Sequence, residues 1–134
     1  GVMRDLNRAA ALFDEACQKG DLAGCSAHAG MLDSGETIGR DLPRARALYR
    51  KTCDGGIPAD CYALAKTLST LPADRKAVFE LNSKACTGGV PAACHDVAIA
   101  WEAGRDPLKA LPFYEKACAG GIAPACERAK KLKQ

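Results

Sequence analysis

Four cysteine pairs with one fixed spacing constrain this chain more than any other feature of its sequence. The two members of every pair are eight residues apart, and the first members follow one another at intervals of 36, 33 and 32 residues. The pairs are Cys17/Cys25, Cys53/Cys61, Cys86/Cys94 and Cys118/Cys126. A constant inner spacing on a nearly constant period is typical of a protein built from structural repeats.

Small and apolar residues recur eight, five and one positions before the first cysteine of each unit. They are Ala9, Leu12 and Ala16; Ala45, Leu48 and Thr52; Val78, Leu81 and Ala85; and Ala110, Phe113 and Ala117. Steps of three and four residues place them on one face of an α-helix. An aspartate that suits an N-cap lies twelve positions upstream, at Asp5, Asp41, Asp74 and Asp106. The first helix of each unit, helix A, is therefore predicted to run from near this aspartate to the first cysteine.

A second helix, helix B, is predicted to follow a short turn. A glycine that suits a helix stop lies three positions after the first cysteine, at Gly20, Gly56, Gly89 and Gly121. Pro58 and Pro91 then suit the first turn of helix B, which carries the second cysteine. Each unit is thus predicted to be a helical hairpin, and hairpins that bury only one face must stack on their neighbours.

The pattern resembles the Sel-one-like repeat family, which is related to the tetratricopeptide repeats. Gly1-Val2-Met3-Arg4-Asp5, closed by Arg8-Ala9, is similar to the family's Gly-Val-x-x-Asp-x-x-Lys-Ala stretch. Ala110, Tyr114 and Ala117 match its Ala-x3-Tyr-x2-Ala core, whereas the third repeat has Asn82 at the aromatic position. Two cysteines in every repeat are similar to the secreted, cysteine-rich bacterial branch. The resemblance implies a module that binds another protein or an extended peptide.

Disulfide bridges within each repeat explain the cysteines best. Zinc sites and redox centres usually use closely spaced pairs such as C-x2-C, which are absent, so we expect no metal. Eight free thiols in a cytosolic protein remain an alternative. A bridge from the end of helix A to the start of helix B fits the turn, and it indicates a periplasmic or secreted protein in an oxidising compartment.

These observations predict an all-α fold, an α/α solenoid of four disulfide-linked helix-turn-helix repeats. Residues 1–134 are expected to form a single repeat solenoid, with repeats at about 5–40, 41–73, 74–105 and 106–134. The net charge of +3 without a dense basic stripe argues against nucleic-acid binding. No apolar run approaches the ~20 residues of a membrane span, so no membrane insertion is expected. We expect a monomer or a part of a larger repeat protein.

No residue pattern points to catalysis, so we expect no catalytic residue and no cofactor. A serine β-lactam enzyme needs Ser-x-x-Lys, and none of the serines has a lysine three positions later. The two histidines, His28 and His95, are too few for a zinc lactamase. Because some cysteine-rich members of the family carry such a label, a β-lactam-binding or β-lactam-hydrolysing protein stays an alternative. A haem or assembly-factor role in an oxidising compartment is the second alternative.

Resemblance to tetratricopeptide repeats implies a binding face on helix A, at ten, seven and three positions before the first cysteine. The main candidates there are Asp14, Arg46, Arg50, Lys76, Phe79, Ser83, Leu111 and Glu115. Asn7, Ala10, Pro43 and Leu108 complete the same positions. Their variety favours a binding surface, with a cationic centre at Arg46 and Arg50 beside apolar Phe79 and Leu111. The alternative is that these variable positions are merely exposed. Trp101, the sole tryptophan, is assigned to packing against the next repeat.

Overall fold

The computed structural model describes residues 1–35 and 39–134, and over these residues it consists of helices and the turns between them. Residues 36–38, in the first predicted repeat, lie outside the described residues. The helices are α1 (Val2–Gln18), α2 (Leu22–Ser34), α3 (Leu42–Asp54), α4 (Pro58–Leu68), α5 (Arg75–Thr87), α6 (Pro91–Ala103), α7 (Pro107–Ala119) and α8 (Ala123–Lys133). A 3₁₀ turn, Pro72–Asp74, precedes α5. The predicted all-α architecture of four helix pairs is confirmed.

Three of the four predicted helix A starts are correct, and one is wrong. Asp41 and Asp106 are N-caps whose carboxylates accept from the backbone N–H groups of Arg44 and Lys109. Asp74 also stands at the N-cap of α5, but its side chain makes no capping hydrogen bond. Asp5, in contrast, lies in the first turn of a helix that begins at Val2. No glycine or proline interrupts residues 2–5, so nothing in the sequence stops the helix from starting earlier.

The turn between the two helices of a repeat depends on the predicted glycine. Gly20, Gly56, Gly89 and Gly121 all adopt positive φ angles between 95° and 101°. In the second repeat the Gly56 N–H donates to the Cys53 carbonyl, and the Ile57 N–H donates to the Thr52 carbonyl. These bonds satisfy carbonyls that the helix end leaves unpaired, in a left-handed cap that glycine adopts without steric cost. The prediction that these glycines stop helix A is confirmed.

Each hairpin is closed by one disulfide between its two helices. The bridges are Cys17–Cys25, Cys53–Cys61, Cys86–Cys94 and Cys118–Cys126, with Cα atoms 4.4 to 4.7 Å apart. The predicted connectivity is confirmed for all eight cysteines. Because each bridge closes the same short loop, every hairpin is constrained in the same way.

The chain divides into two compact units, Gly1–Thr67 and Leu68–Gln134. In the first unit α2 packs against both α1 and α3; in the second, α6 packs against α5 and α7, and α7 against α8. Fully buried alanines such as Ala29, Ala45, Ala85 and Ala110 lie in these cores and allow close helix packing. The single array spanning residues 1–134 stays a prediction. Within residues 1–35 and 39–134, no helix is long and apolar enough to span a membrane.

Leu12 departs from the predicted core. It is 58% exposed, whereas Leu48, Leu81 and Phe113 at the equivalent position are half-buried. α1 packs on α2, and this contact leaves Leu12 largely exposed. The reverse departure is Ala10, which was placed on the binding face but is buried.

Candidate binding cleft

A cleft of about 1000 Å³ lies in the second unit, between α5 and α6. Val78, Phe79 and Asn82 form its α5 side, and Val97 and Trp101 form its α6 side. The lining also includes Arg75, Lys76, Glu80, Asp96, Ile99, Ala100, Gly104 and Asp106. The space is within the size range of small-molecule and side-chain binding pockets, which are typically 300–1000 Å³. Most of the lining surface is apolar, although five charged residues belong to it.

Two aromatic side chains, one from each helix, meet in the lining of the cleft. The Phe79 and Trp101 rings meet edge to face, with centroids 5.6 Å apart and planes at 88°. The Lys109 ammonium lies 4.8 Å from the centroid of the Trp101 ring. Because Lys109 belongs to α7, Trp101 does contact the next repeat, as assigned from the sequence. Its place in the cleft wall was not foreseen. Edge-to-face contacts of this kind fix ring orientation and present a stable apolar surface.

Asn82 is a lining residue of the cleft, at the repeat position where the other three repeats carry an aromatic residue. It is only 6% exposed, and its Oδ1 atom is buried without a hydrogen-bond partner in the part of the chain that the structure describes. The equivalent residues are Phe13, Tyr49 and Tyr114. A buried carbonyl oxygen without a donor is costly, and such groups in proteins usually have a partner.

The two equivalent tyrosines each donate a hydrogen bond to an acid on the preceding helix B. The Tyr49 hydroxyl donates to Asp33 at 3.2 Å, and the Tyr114 hydroxyl donates to Glu102 at 2.7 Å. Burial is the main cause that raises the pKa of both tyrosines, and the acids raise it further, to about 12 for Tyr114. In these repeats a ring and a donor from the chain itself therefore occupy the space at this position.

Three of the predicted binding residues lie on α5, and two of them line the cleft. Lys76 is exposed, and Phe79 is one of the two aromatic residues in the lining. The Ser83 hydroxyl instead donates to the Phe79 carbonyl at 2.8 Å, one turn back in the same helix. Serine in a helix commonly makes this bond, which leaves its hydroxyl with less capacity for a ligand.

The two arginines of the predicted cationic centre differ in their surroundings. The Arg46 guanidinium donates to the Thr67 carbonyl at 2.8 Å, and its Nε atom is buried. Arg50, one turn further along α3, is exposed. Arg46 is therefore tied to the C-terminal end of α4, and Arg50 is the arginine that faces solvent.

The remaining predicted binding residues are held by neighbours or stand apart from the cleft. Asp14 accepts from Arg44 at 3.3 Å and lies 4.0 Å from the buried His28 ring. Glu115 pairs with Lys133 at 3.3 Å, and Leu111 is half-buried on α7. Asp14 and Glu115 therefore each pair with a cation on another helix of their own unit.

The two histidines lie in different units of the chain. His28 is buried in the first unit, and burial lowers the pKa of its ring, with Asp14 opposing and Arg44 reinforcing this shift. His95 lies in the second unit, with its ring centroid 5.8 Å from that of Tyr114. Among residues 1–35 and 39–134 no cluster of three or more histidine, cysteine or acidic side chains could hold a metal ion.

The chain is similar to known proteins in its structure and not detectably in its overall sequence. The chain matches no protein-family model, and no curated protein is significantly similar to it in sequence. The Sel1 repeat protein from Oxalobacter formigenes is 21% identical with a TM-score of 0.77, over 96% of this chain and 98% of that one. Helicobacter pylori cysteine-rich protein B is 22% identical with a TM-score of 0.69, over 95% and 96% of the two chains.

A third similar structure is that of c5321, a protective antigen of uropathogenic Escherichia coli strains with an SLR fold. It is 21% identical with a TM-score of 0.83, and the match covers 92% of this chain but 28% of the antigen. Identities at this level establish a shared fold and leave activity open. The chain therefore has the Sel1-like repeat fold, in agreement with the resemblance carried by its cysteines and its helix A motif.

Proposed function

We propose that this chain is a non-catalytic scaffold that binds an extended segment of a protein or peptide, without a cofactor. The observation that carries the proposal is the cleft between α5 and α6, with the contacting rings of Phe79 and Trp101 in its lining. Aromatic side chains supply large contact areas at low conformational cost and dominate many peptide-binding surfaces. Lys76, which also lines the cleft, adds a cation to a mostly apolar lining.

The four disulfides support a position in the periplasm or outside the cell. Bridges of this kind form and persist in oxidising compartments and are rare in the reducing cytosol. Cell fractionation with thiol alkylation at lysis tests this directly. We expect the protein in the envelope or medium fraction with all eight cysteines protected. A cytosolic protein with free thiols would contradict this location.

Selection from a random-peptide phage library on the immobilised chain tests the scaffold proposal. We expect enrichment of a peptide family whose binding is lost when the cleft wall is truncated by Phe79→Ala. Phe13→Ala is the matched control, because Phe13 is an exposed phenylalanine on α1 in the other unit. Equal binding to both variants would move the site away from the cleft, and failure to enrich any peptide would contradict the scaffold proposal.

The two rival functions are measured on the same preparation. Hydrolysis of a chromogenic cephalosporin, or its covalent capture, would replace the scaffold proposal with a β-lactam enzyme or binder. A Soret shift on titration with haem would replace it with a haem-binding role. We expect neither signal, because no Ser-x-x-Lys motif or C-x-x-C-H attachment site is present in the sequence.

A further inference from the structure

One apolar stripe on α1 is left open to solvent. Its residues follow one another at steps of three and four, so they share one side of the helix. These residues, here called the outer stripe, are Val2, Leu6, Ala9, Phe13 and Ala16. Val2 is 74% exposed, and Leu6 and Phe13 are each 37% exposed. The adjacent side of α1, with Ala10 and Cys17, is buried.

The equivalent stripe is buried in two other repeats, where it faces the helix B that comes before it. The positions of Ala9, Phe13 and Ala16 are taken in α3 by Ala45, Tyr49 and Thr52 and in α7 by Ala110, Tyr114 and Ala117. None of these six residues is more than 5% exposed. α3 packs on α2 and α7 on α6, and the two tyrosines donate to Asp33 of α2 and Glu102 of α6. α1 therefore carries one half of an interface that the chain completes twice elsewhere.

The completed interfaces define the chemistry of the missing half. Asp33 and Glu102 each follow, by one helical turn, an alanine that is fully buried, Ala29 in α2 and Ala98 in α6. A small residue at this point lets two helices approach each other closely. Phe13 has no hydroxyl group, so the helix that covers it needs no acceptor. The expected occupant is therefore an amphipathic helix of the helix B type, with alanine or glycine at its centre.

The last helix of a second copy of this chain does not fit that description. Four positions after the second cysteine, α2, α4 and α6 have the buried residues Ala29, Ala65 and Ala98, whereas α8 has the exposed Lys130. Burial of an unpaired ammonium group against Phe13 would be costly. A polar outer side like that of α8 is what a terminal repeat needs, and the outer stripe of α1 lacks this character.

A sequence motif indicates where the occupant comes from. Arg-Asp, two further residues, and then Arg or Lys followed by Ala occur at 4–9, 40–45 and 105–110. In the second and third cases this segment leads from a helix B into the next helix A. The Asp41 N–H donates to the Leu32 carbonyl of α2 at 3.0 Å. The Asp106 N–H donates in the same way to the Trp101 carbonyl of α6, also at 3.0 Å. Both motifs are thus bonded to a helix B that precedes them in the chain.

We propose that the outer stripe of α1 is the docking surface for the helix B of a further repeat, which precedes Gly1 in the same polypeptide. The small residue of that helix lies against Ala9, and its flanking apolar side chains cover Leu6 and Phe13. The first repeat is then an internal repeat. The scaffold proposal concerns the cleft in the second unit and does not depend on this docking surface.

Peptide mapping of the native protein tests the source of the occupant. An antibody against residues 1–134 purifies the protein from its own cells, and mass spectrometry with N-terminal sequencing reads the residues before Gly1. We expect an intact mass above the 14.0 kDa of residues 1–134. Ala98 lies 7 residues before Arg105 and Ala29 lies 11 before Arg40, so alanine or glycine is expected 7 to 11 residues before Arg4. A cysteine should lie four residues before that small residue.

Hydrogen exchange tests whether the preceding helix covers the outer stripe. Amides of α1 should exchange about tenfold or more slowly in the native-length protein than in residues 1–134 alone, whereas amides of α7 and α8 should exchange equally in both. In the native-length protein, Phe13→Asp should return α1 to the faster rate. Ala11→Asp is the matched control, because Ala11 is exposed and lies on the opposite side of α1. It should leave the protection in place.

Exchange in α7 shows whether each variant is folded, and if Phe13→Asp unfolds, the comparison of the two parent lengths decides. Three results overturn the proposal. They are a native protein that begins at or close to Gly1, equal exchange of α1 in the two lengths, or a dimer of residues 1–134 in sedimentation that Phe13→Asp dissociates. The last result would assign the outer stripe to a second copy of the chain. None of the three affects peptide binding at the cleft, which the phage selection measures separately.

Discussion

The Tyr114 hydroxyl lies 2.7 Å from a carboxylate oxygen of Glu102 and donates to it, which joins α7 to the C-terminal end of α6. The Arg128 guanidinium of α8 donates to both oxygens of the same carboxylate. Three helices of the second unit thus meet at one acid. The hydrogen bonds from Arg128, and then from Tyr114, lower the pKa of the Glu102 carboxyl, because they favour its charged form.

Replacement of Tyr114 by phenylalanine should destabilise the chain by about 1 kcal/mol, because a partly buried carboxylate loses one of its donors. Tyr62→Phe is the matched control. Tyr62 is half-buried and its ring contacts Lys66, a contact that phenylalanine retains. Urea unfolding followed by circular dichroism measures both variants. Equal losses in the two would show that the Glu102 contact contributes nothing specific.

The hydrogen bond between Tyr114 and Glu102 also predicts a loss of stability at alkaline pH. Burial, followed by the bond to Glu102, raises the pKa of Tyr114 to about 12, above the value near 10 of an unfolded tyrosine. The stability that is linked to this raised pKa is fully present below pH 10. It is lost as the pH rises from 10 towards 12. The difference in unfolding free energy between the parent and Tyr114→Phe should therefore narrow over this range. A constant difference from pH 8 to pH 12 would contradict the linkage.

His28 predicts a loss of stability on the acid side. Its ring is buried and burial lowers its pKa, so the unfolded chain takes up a proton near pH 6.5 before the folded chain does. Stability should fall as pH drops below about 6.5. His28→Leu should remove this part of the slope, because leucine occupies the equivalent position at Leu64.

His95→Gln is the control, since His95 is only half-buried. Melting temperatures at pH 7.5 and pH 5 measure the slope in all three proteins. Carboxylates also titrate near pH 5. The effect of His28 is therefore the difference between the pH dependence of the melting temperature in His28→Leu and that in the parent. A slope that is unchanged in His28→Leu would show that the buried ring keeps its ordinary titration.

The helix caps predict a contrast between two aspartates. The Asp41 carboxylate accepts from the Arg44 N–H at 3.2 Å, whereas Asp74 makes no capping bond. Asp41→Ala should cost about 1 kcal/mol, and Asp74→Ala should cost much less. Chemical denaturation of both variants decides the comparison. Equal costs would mean that Asp74 caps α5 in solution or that neither cap contributes.

The sequence predicted the hairpins well because local chemistry determines them. A capping aspartate such as Asp106, a left-handed glycine such as Gly121 and a cysteine pair each act within a few residues. Asp5 was misassigned because the same residue that caps a helix also suits its first turn. Exposure of Leu12 could not be predicted, because it depends on which helix covers that face of α1.

The cleft was predicted only in part, because it depends on contacts between helices. Phe79 and Lys76 were identified by their position on helix A. Asn82 was noticed as a departure from the repeat, but its buried oxygen and the surrounding space follow from three-dimensional packing. The bond from Arg46 to Thr67 likewise spans 21 residues, and no spacing rule within a repeat indicates it.

The disulfides predict equal and local stabilisation of the hairpins. Peptide mapping without reductant should recover four bridges, each between cysteines eight residues apart. Replacing one pair, Cys53→Ser with Cys61→Ser, should cost about 2–3 kcal/mol on the chain-entropy model. The pair Cys86 and Cys94 closes a loop of the same length and should give a similar value. An abundant bridge between repeats would contradict this connectivity.

Arg46 and Arg50 predict opposite effects, although they lie one turn apart on α3. The Arg46 guanidinium donates to the Thr67 carbonyl near the end of α4, where the helix leaves carbonyls unpaired. Arg46→Ala should therefore lower the unfolding free energy by about 1.5–3 kcal/mol, the usual range for a hydrogen bond that involves a charged group. Arg50 is exposed, so Arg50→Ala should change the unfolding free energy by less than about 0.5 kcal/mol.

Because Arg46 and Arg50 differ in their expected effect on stability, the predicted cationic centre is best tested at Arg50 alone. A double alanine variant would lose stability through Arg46, and any loss of binding could then reflect local unfolding. Arg50→Ala alone leaves the fold intact, and Arg50→Lys keeps its charge. If Arg50 contributes to a binding face, peptides from the phage selection should bind Arg50→Ala more weakly at low salt and recover with Arg50→Lys. Unchanged binding would exclude Arg50, the solvent-facing arginine of the predicted centre, from the peptide site.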